Sequence, residues 1–373
     1  MTRRGHGEGS IYRRQDGRWA AAITLPNGRR QASYGRSRAE VAAKLGSAMK
    51  ARDAGRSLPS GRETVANFLE RWLEIVKPQL RDRTWRRYEQ LVRNQVVDEL
   101  GSRRLSSLQA PDLQSLYSHL LGGGLSPTTV HHVHMLLHRA LGQAVRWGLL
   151  SRNVADLTDP PRMAVHEMQT LSPEEVRKVL AVAMEDRLAA LWLLAVTTGM
   201  RQGELLALRW TDLDLEHGAL QVTGTLQRIP YQGMARTETK TLRSRRRVLL
   251  GDSAMAALRQ RKADQAADRL RASTDWQKTD LVFTNAVGKP QDPSELLRLF
   301  KTLLAAAGLP RIRFHDLRHT AATLMLRHGV HPKVAADMLG HSTVAITLDL
   351  YSHSTEPMHR EAADILEGVV RGA

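Results

Sequence analysis

The sequence predicts a mainly α fold with small β elements, in three parts: an N-terminal three-stranded sheet plus helix, a helical bundle, and a mixed α/β domain. Three observations lead there. The 373 residues exceed one typical hydrophobic core, so two or three domains are expected. Strand-like segments with hairpin signals crowd the N-terminal stretch, whereas apolar residues at helical spacing take over after residue 64. The charge changes at the same place. Residues 1–62 hold fourteen Lys/Arg against four Asp/Glu, net +10; residues 63–160 hold twelve against ten, net +2; residues 161–373 hold twenty-nine against twenty-four, net +5.

More than half of the +17 excess therefore sits in the first sixth of the chain, the footprint of a polyanionic partner. The chain has no cysteine, which excludes disulfides and thiolate zinc sites. It has no run of eighteen or more apolar residues and no signal-peptide pattern. The expectation is a soluble protein of the cytoplasm, associated with the nucleoid and not with a membrane.

In the first part, Ser10–Arg14 is a candidate strand and Gln15–Arg18 a turn. Trp19–Leu25 is a second strand, Pro26-Asn27-Gly28 a hairpin signal, and Arg30–Tyr34 a third strand. Ser37-Arg38-Ala39-Glu40 reads as a capping box opening a helix to about Arg52. Each strand is flanked by arginine, and Arg13, Arg14, Arg18, Arg29 and Arg30 are candidate DNA contacts. A bland alternative is a basic surface over a small core of Trp19, Ile23 and Val41.

Residues 55–62 have linker composition. Val65, Phe68, Leu69, Trp72, Leu73 and Val76 then share one helical face. A second helix opens at Thr84 and carries Arg86 and Arg87, further candidate DNA contacts. A third begins at Pro111, and a fourth runs from Ser126-Pro127 to about Trp147. His134 and His138 in that fourth helix have a zinc-compatible spacing, but no acid or thiol of zincin type accompanies them. Surface or DNA-facing histidines are expected, and no metal.

Asp159-Pro160-Pro161 marks a hinge, and Ser172-Pro173-Glu174-Glu175 has an N-cap, a proline at the first helical position and a glutamate at the third. The parts are accordingly 1–55, a linker 56–63, 64–152, a hinge 153–169, and 170–373. In the last, Leu188–Thr198 is a buried helix ended by Gly199, and Arg201 stands at the start of a helix from Gln202 to Leu208. Glu204 is close enough to hold its guanidinium. Thr239-Lys240-Thr241 before Arg245-Arg246-Arg247-Val248 reads as a hairpin tip with a basic return strand. His315 and Arg318, three apart, share a helical face; His319 is left outside the site. Asp337–Gly340 ends a helix and presents His341, and Tyr351 follows ten residues later. Two guanidiniums can bind the non-bridging oxygens of one phosphodiester by forked hydrogen bonds that lysine cannot reproduce.

Arg201, Lys240, His315, Arg318, His341 and Tyr351, in this order, resemble the catalytic set of the tyrosine recombinase (phage integrase) family. The resemblance covers residues 64–373 well and 1–55 loosely, and all six positions hold the family's preferred residue types. It implies an arm-type DNA-binding domain at 1–55, a core-binding domain at 64–152 and a catalytic domain at 170–373. It implies that Tyr351 attacks the scissile phosphate to give a 3′-phosphotyrosine and a free 5′-hydroxyl. Lys240 is then the counterpart of the family's β-hairpin lysine, protonating the departing oxygen, and His315 is the candidate base. Neither metal, ATP nor another cofactor is expected.

The implied partners are double-stranded DNA at attachment sites, a homotetramer on DNA, a DNA-bending host factor and an excision directionality factor. Residues 357–370, apolar at Met358, Ala362, Ile365, Leu366 and Val369, would pack on a neighbouring protomer. Alternatives are an Xer-type chromosome-dimer resolvase, a type IB topoisomerase, and a DNA-binding regulator without catalysis.

Overall fold

The computed structural model describes residues 9–24, 30–53, 62–163, 168–229, 233–238 and 245–349, together with Glu367 and Arg371. They gather into two compact units divided after His166.

The first unit opens with an antiparallel meander of β1 (Ser10–Arg13), β2 (Trp19–Thr24) and β3 (Arg30–Gly35), followed by helix α1 (Arg38–Asp53). Register places Ile11 opposite Ala21 and Ala21 opposite Ser33. Strand alternation then sends Ala21 and Ile23 to one face, where they meet Val41 and Leu45 of α1, with Trp19 packed at the edge. The Ser37 hydroxyl caps the Glu40 N–H at 3.1 Å, but the Glu40 carboxylate reaches back to the Arg36 N–H instead, at 2.8 Å. The Asn27-Gly28 turn lies outside the described residues.

A separate all-helical core follows. Thr64 caps α2 (Val65–Val76), and all six residues of the expected apolar face are buried. Helix α3 (Asp82–Leu91) begins two residues before Thr84 and passes through a π-helical turn into α4 (Val97–Leu100). Tyr88 stacks on Trp72 at 5.8 Å, and Trp85 Nε1 donates to the Leu73 carbonyl at 3.0 Å, joining α3 to α2. Helices α5 (Ala110–Gly122) and α6 (Pro127–Arg146) complete the bundle, the latter capped by Ser126.

One histidine of α6 departs from the expected surface position. His134 falls in phase with Val130, Val133, Leu137 and Leu141, so it is 7% exposed, and its Nδ1 is 3.1 Å from the Tyr117 hydroxyl. Burial, then the neighbouring His138 and His131, keep its pKa below the usual imidazole range. Nε2 of His138 pairs with Asp156 at 2.8 Å. No group of His, Asp and Glu with metal-binding geometry occurs among the described residues.

In the second unit, α7 (Pro173–Ala183) carries the expected capping box, with Ser172 and Glu175 bonding each other's backbone N–H groups. Helix α8 (Ala189–Thr198) is apolar on nearly every side and lies in the middle of the core. There Trp192 stacks on Phe300, and Phe314 closes the aromatic cluster. The one-turn helix α9 (Gln202–Leu206) leads to β4 (Leu213–Asp214), β5 (Ala219–Val222), β6 (Gly224–Ile229), β7 (Gly233–Glu238) and β8 (Arg246–Leu249). Helices α10 (Asp252–Ala272), α11 (Pro293–Ala306), α12 (Asp316–Arg327), α13 (Pro332–Leu339) and α14 (Val344–Asp349) follow.

The expected hairpin around Lys240 is corrected here. β7 pairs with β6, whereas β8 pairs with β5 in the sheet β4-β5-β8. The described strands on either side of Lys240, β7 and β8, are thus not the two arms of one hairpin. Among the described residues, no helix is long and apolar enough to cross a membrane.

Candidate active site

Four of the six expected catalytic residues, and Glu204, lie in the described part of the second unit; Lys240 and Tyr351 lie outside the described residues. Two glycines bring the four together. Gly199 ends α8 at φ +59°, and a Cβ there would stand 2.3 Å from Leu339 Cδ2. This close approach lets α12 and α13 pack on the α8 turn. Gly340 ends α13 at φ +69°, and His341 N–H returns to the Ala336 carbonyl at 2.9 Å, the closure that follows a left-handed C-terminal residue.

Arg318 points from α12 into this junction. It is 3% exposed, and its Nη1 donates to the Gly199 carbonyl at 2.8 Å. Its Nη2 is buried and has no hydrogen-bond partner among the described residues. Burial first, then the positive charge of Arg201, pushes the Arg318 pKa down to about 9. A buried guanidinium with an unused donor, held among other cations, is complementary to an anion.

Arg201 comes from the residue before α9. Its Nη1 donates to Glu204 Oε1 at 2.9 Å and its Nη2 to the Gly340 carbonyl at 3.3 Å. The helix it begins ends at Leu206, short of the expected Leu208, so one turn contributes little dipole and the positive charge is that of the guanidinium. Glu204 is buried and accepts from the Arg201 N–H, Arg201 Nη1 and Arg246 Nη2, the last at 2.9 Å. Burial would raise its pKa. The hydrogen bond and charge of Arg246, then those of Arg201, outweigh that and hold the carboxyl below its usual range.

His315 immediately precedes α12 and His341 follows α13. His315 is exposed as a residue, yet the protein around it still takes water from its ring. This desolvation, followed by His319, Arg318 and Arg201, pushes its pKa down to about 4. Burial, Arg318 and Arg201 do the same to His341, also to about 4. Both imidazoles are thus neutral near pH 7, able to accept a proton or donate a single N–H. His341 Nδ1 is 2.7 Å from the Thr347 hydroxyl, a fully buried group on α14, which leaves Nε2 for another partner.

Sequence reasoning passed over three neighbours. His319 packs edge-on against His315, ring centroids 4.9 Å apart at 89°. Thr347 orients His341. Arg246 is buried on β8, its Nε donating to the Met338 carbonyl at 2.7 Å. A signal for Arg246 existed: in an alternating strand it shares the inward face with Val248, while Arg247 and Leu249 face out.

The expected DNA-contact arginines belong to the first unit. Arg13, Arg14, Arg18, Arg30 and Arg87 are exposed; Arg29 lies outside the described residues. Arg14 lies over the Tyr34 ring at 5.2 Å, Arg18 pairs with Asp16 at 3.0 Å, and Arg30 Nη2 donates to Ser10 Oγ at 3.1 Å. Arg86 pairs with Asp82 at 2.7 Å and Arg87 with Gln90 at 3.3 Å. Residues 357–370, expected to form a terminal helix, also lie outside the described residues apart from Glu367.

Residues 169–357 match the phage integrase family, and residues 64–121 match the N-terminal SAM-like domain of phage integrases. A tyrosine recombinase XerC-like protein of Caldanaerobacter subterraneus subsp. tengcongensis is 31% identical, over 90% of this chain and 91% of its own length. An integrase of Saccharopolyspora erythraea is 28% identical over 98% and 97%. Among solved structures, the Tn1549 transposon integrase in complex with transposon right end DNA superposes with a TM-score of 0.71 at 21% identity, covering 82% of this chain and all of that one. A lambda integrase dimer bound to a core site gives 0.59 at 19% identity, covering 94% and 96%.

Proposed function

The chain belongs to the phage integrase family and is a tyrosine site-specific recombinase, and from that premise we propose how its residues divide the reaction. Arg201 and Arg318 bind the two non-bridging oxygens of the scissile phosphate, and His341 donates an N–H to the same group. Tyr351 attacks phosphorus while the neutral imidazole of His315 takes the phenol proton. The bond to the 5′ oxygen breaks, Lys240 supplies that oxygen with a proton, and a 3′-phosphotyrosine remains. A 5′-hydroxyl of the partner duplex then attacks the phosphotyrosine, releases the phenol and restores a phosphodiester. Charge grows on the non-bridging oxygens during each transfer, so fixed guanidiniums there lower the barrier.

The observation that carries this reading is the buried Nη2 of Arg318 beside Arg201, without a hydrogen-bond partner among the described residues. A structural arginine would have spent that donor on the protein.

The division of labour follows the charge. Residues 1–55 bind arm sequences through Arg13, Arg14, Arg18, Arg29 and Arg30, residues 56–63 link, and residues 64–152 close over the core site with Arg86 and Arg87. Residues 153–169 form the hinge and 170–373 cut and rejoin. Work on two duplexes calls for a homotetramer on attachment-site DNA. A bending protein and a directionality factor would govern integration and excision, in the nucleoid where the substrate lies.

A duplex carrying the crossover site with a nick that releases the 5′ fragment should trap a covalent adduct. Tyr351→Phe should abolish it; an adduct on that variant would exclude Tyr351 as nucleophile.

A further inference from the structure

Arg246 carries a buried charge that the reaction as described does not use. We infer that Arg246 is a positioning residue for strand cleavage, holding Arg201 through Glu204 and the His341 turn through the Met338 carbonyl. The inference rests on the functional reading above.

Its base is rigid. Arg246 begins β8 and pairs with Val222 in the antiparallel register of β5 and β8. From there the guanidinium spans two elements brought together only by folding, with Nη2 on Glu204 at 2.9 Å and Nε on the Met338 carbonyl at 2.7 Å. The first acceptor lies 42 residues away in sequence and the second 92. The Gly340 turn rests on the same group: a Cβ at Gly340 would come within 2.9 Å of Arg246 Nη1. Lysine has one ammonium and cannot occupy both acceptors with this geometry.

The electrostatics point the same way. Glu204 is the acid hydrogen-bonded to Arg201, and with Arg246 absent its whole charge would fall on that guanidinium, lowering the positive potential offered to a phosphate. Shared between two arginines, it fixes Arg201 while leaving the cluster of Arg201, Arg246 and Arg318 net cationic. Arg246 also stands six residues after Lys240, so it anchors the strand into which that lysine's segment runs.

The test is single-turnover adduct formation by the full chain on the nicked core duplex, with DNA affinity and thermal midpoint measured on the same preparations. Wild type must form the adduct and Tyr351→Phe must not; failure there overturns the functional reading and this inference with it. Given the adduct, Arg246→Gln should slow its formation by about 10- to 100-fold, the scale of a misplaced catalytic group, while affinity for the duplex stays near wild type. Arg246→Lys should restore charge but not rate. If Arg246→Gln does not fold, Arg246→Lys carries the test alone, because its charge is kept and only the fork is missing. The double variant with Glu204→Gln should be no slower than the slower single one, since both act through Arg201. Arg247→Gln, on the outward face of the same strand, is the control. Wild-type rates in both Arg246 variants, additive effects with Glu204→Gln, or a loss of duplex affinity that matches the loss of rate would each overturn the positioning role.

Discussion

At the residue scale, Arg201 and Arg318 differ in what they leave free. Arg201 spends one amino group on Glu204 and another on Gly340, while Arg318 spends Nη1 on Gly199 and, among the described residues, keeps Nη2. Arg318→Lys should therefore cost more than Arg201→Lys. We expect Arg318→Lys to slow cleavage by about 100- to 1000-fold, the range seen when one transition-state donor is removed, with duplex binding little changed. Gel-shift affinity against single-turnover rate checks this; an equal drop in both would place Arg318 in ground-state binding. The two histidines set a pH window. An unfolded imidazole titrates near 6.5, whereas folded His315 and His341 titrate near 4. As pH falls from about 6.5 towards 4, the unfolded chain takes up protons that the fold refuses, so stability declines across that window and is complete above it. Urea midpoints should drop between pH 7 and pH 5, and His341→Gln should flatten the drop. A site phosphate would raise both pKa values and narrow the window.

Elements decide which residues meet. The local signals at helix starts were readable because a cap is satisfied within three residues: Ser126 and Ser172 cap the helices expected of them. Signals that need a distant partner were not readable in the same way. The strand carrying Arg246 looked like the second arm of a hairpin, because its neighbour in sequence is β7; only sheet pairing assigns it to β5. His134 looked like a surface histidine until its phase on α6 and the Tyr117 hydroxyl gave it a buried place. Gly199 is the element-scale hinge of the site. Gly199→Ala meets a left-handed backbone and a Leu339 methyl at 2.3 Å, so we expect a destabilisation of about 2–4 kcal/mol from the sum of αL strain and overpacking. Denaturant unfolding of the variant measures it, and a value below about 1 kcal/mol would mean that α13 shifts without penalty.

For the whole molecule, charge and cores are distributed differently. The net +10 of residues 1–62 rests on a small core of Ala21, Ile23, Val41 and Leu45, while the core around α8 holds most of the buried aromatic groups. Removing residues 1–55 should weaken binding to DNA that carries arm sequences. The dependence of log affinity on log salt should fall by about 0.9 for each phosphate that the shortened chain no longer neutralises. Filter binding from 50 to 200 mM salt, about the range over which such slopes are read, would expose an unchanged slope, and with it a basic segment that does not touch DNA.

By itself the sequence determined the class of fold, the starts or ends of those helices that carry a local cap or breaker, to within two residues, and the cationic motifs that converge on one family. These follow from periodicity, caps and residue chemistry, all written within a few positions of one another. Only the tertiary structure decided that Glu204 is shared between Arg201 and Arg246, that Gly199 accepts α13 against its bare Cα, that Thr347 holds His341, and that Arg318 retains a donor unspent among the described residues. Most of these meetings join residues tens to more than a hundred positions apart. Their energy depends on burial and on what else has arrived at the same place, and no local pattern encodes that.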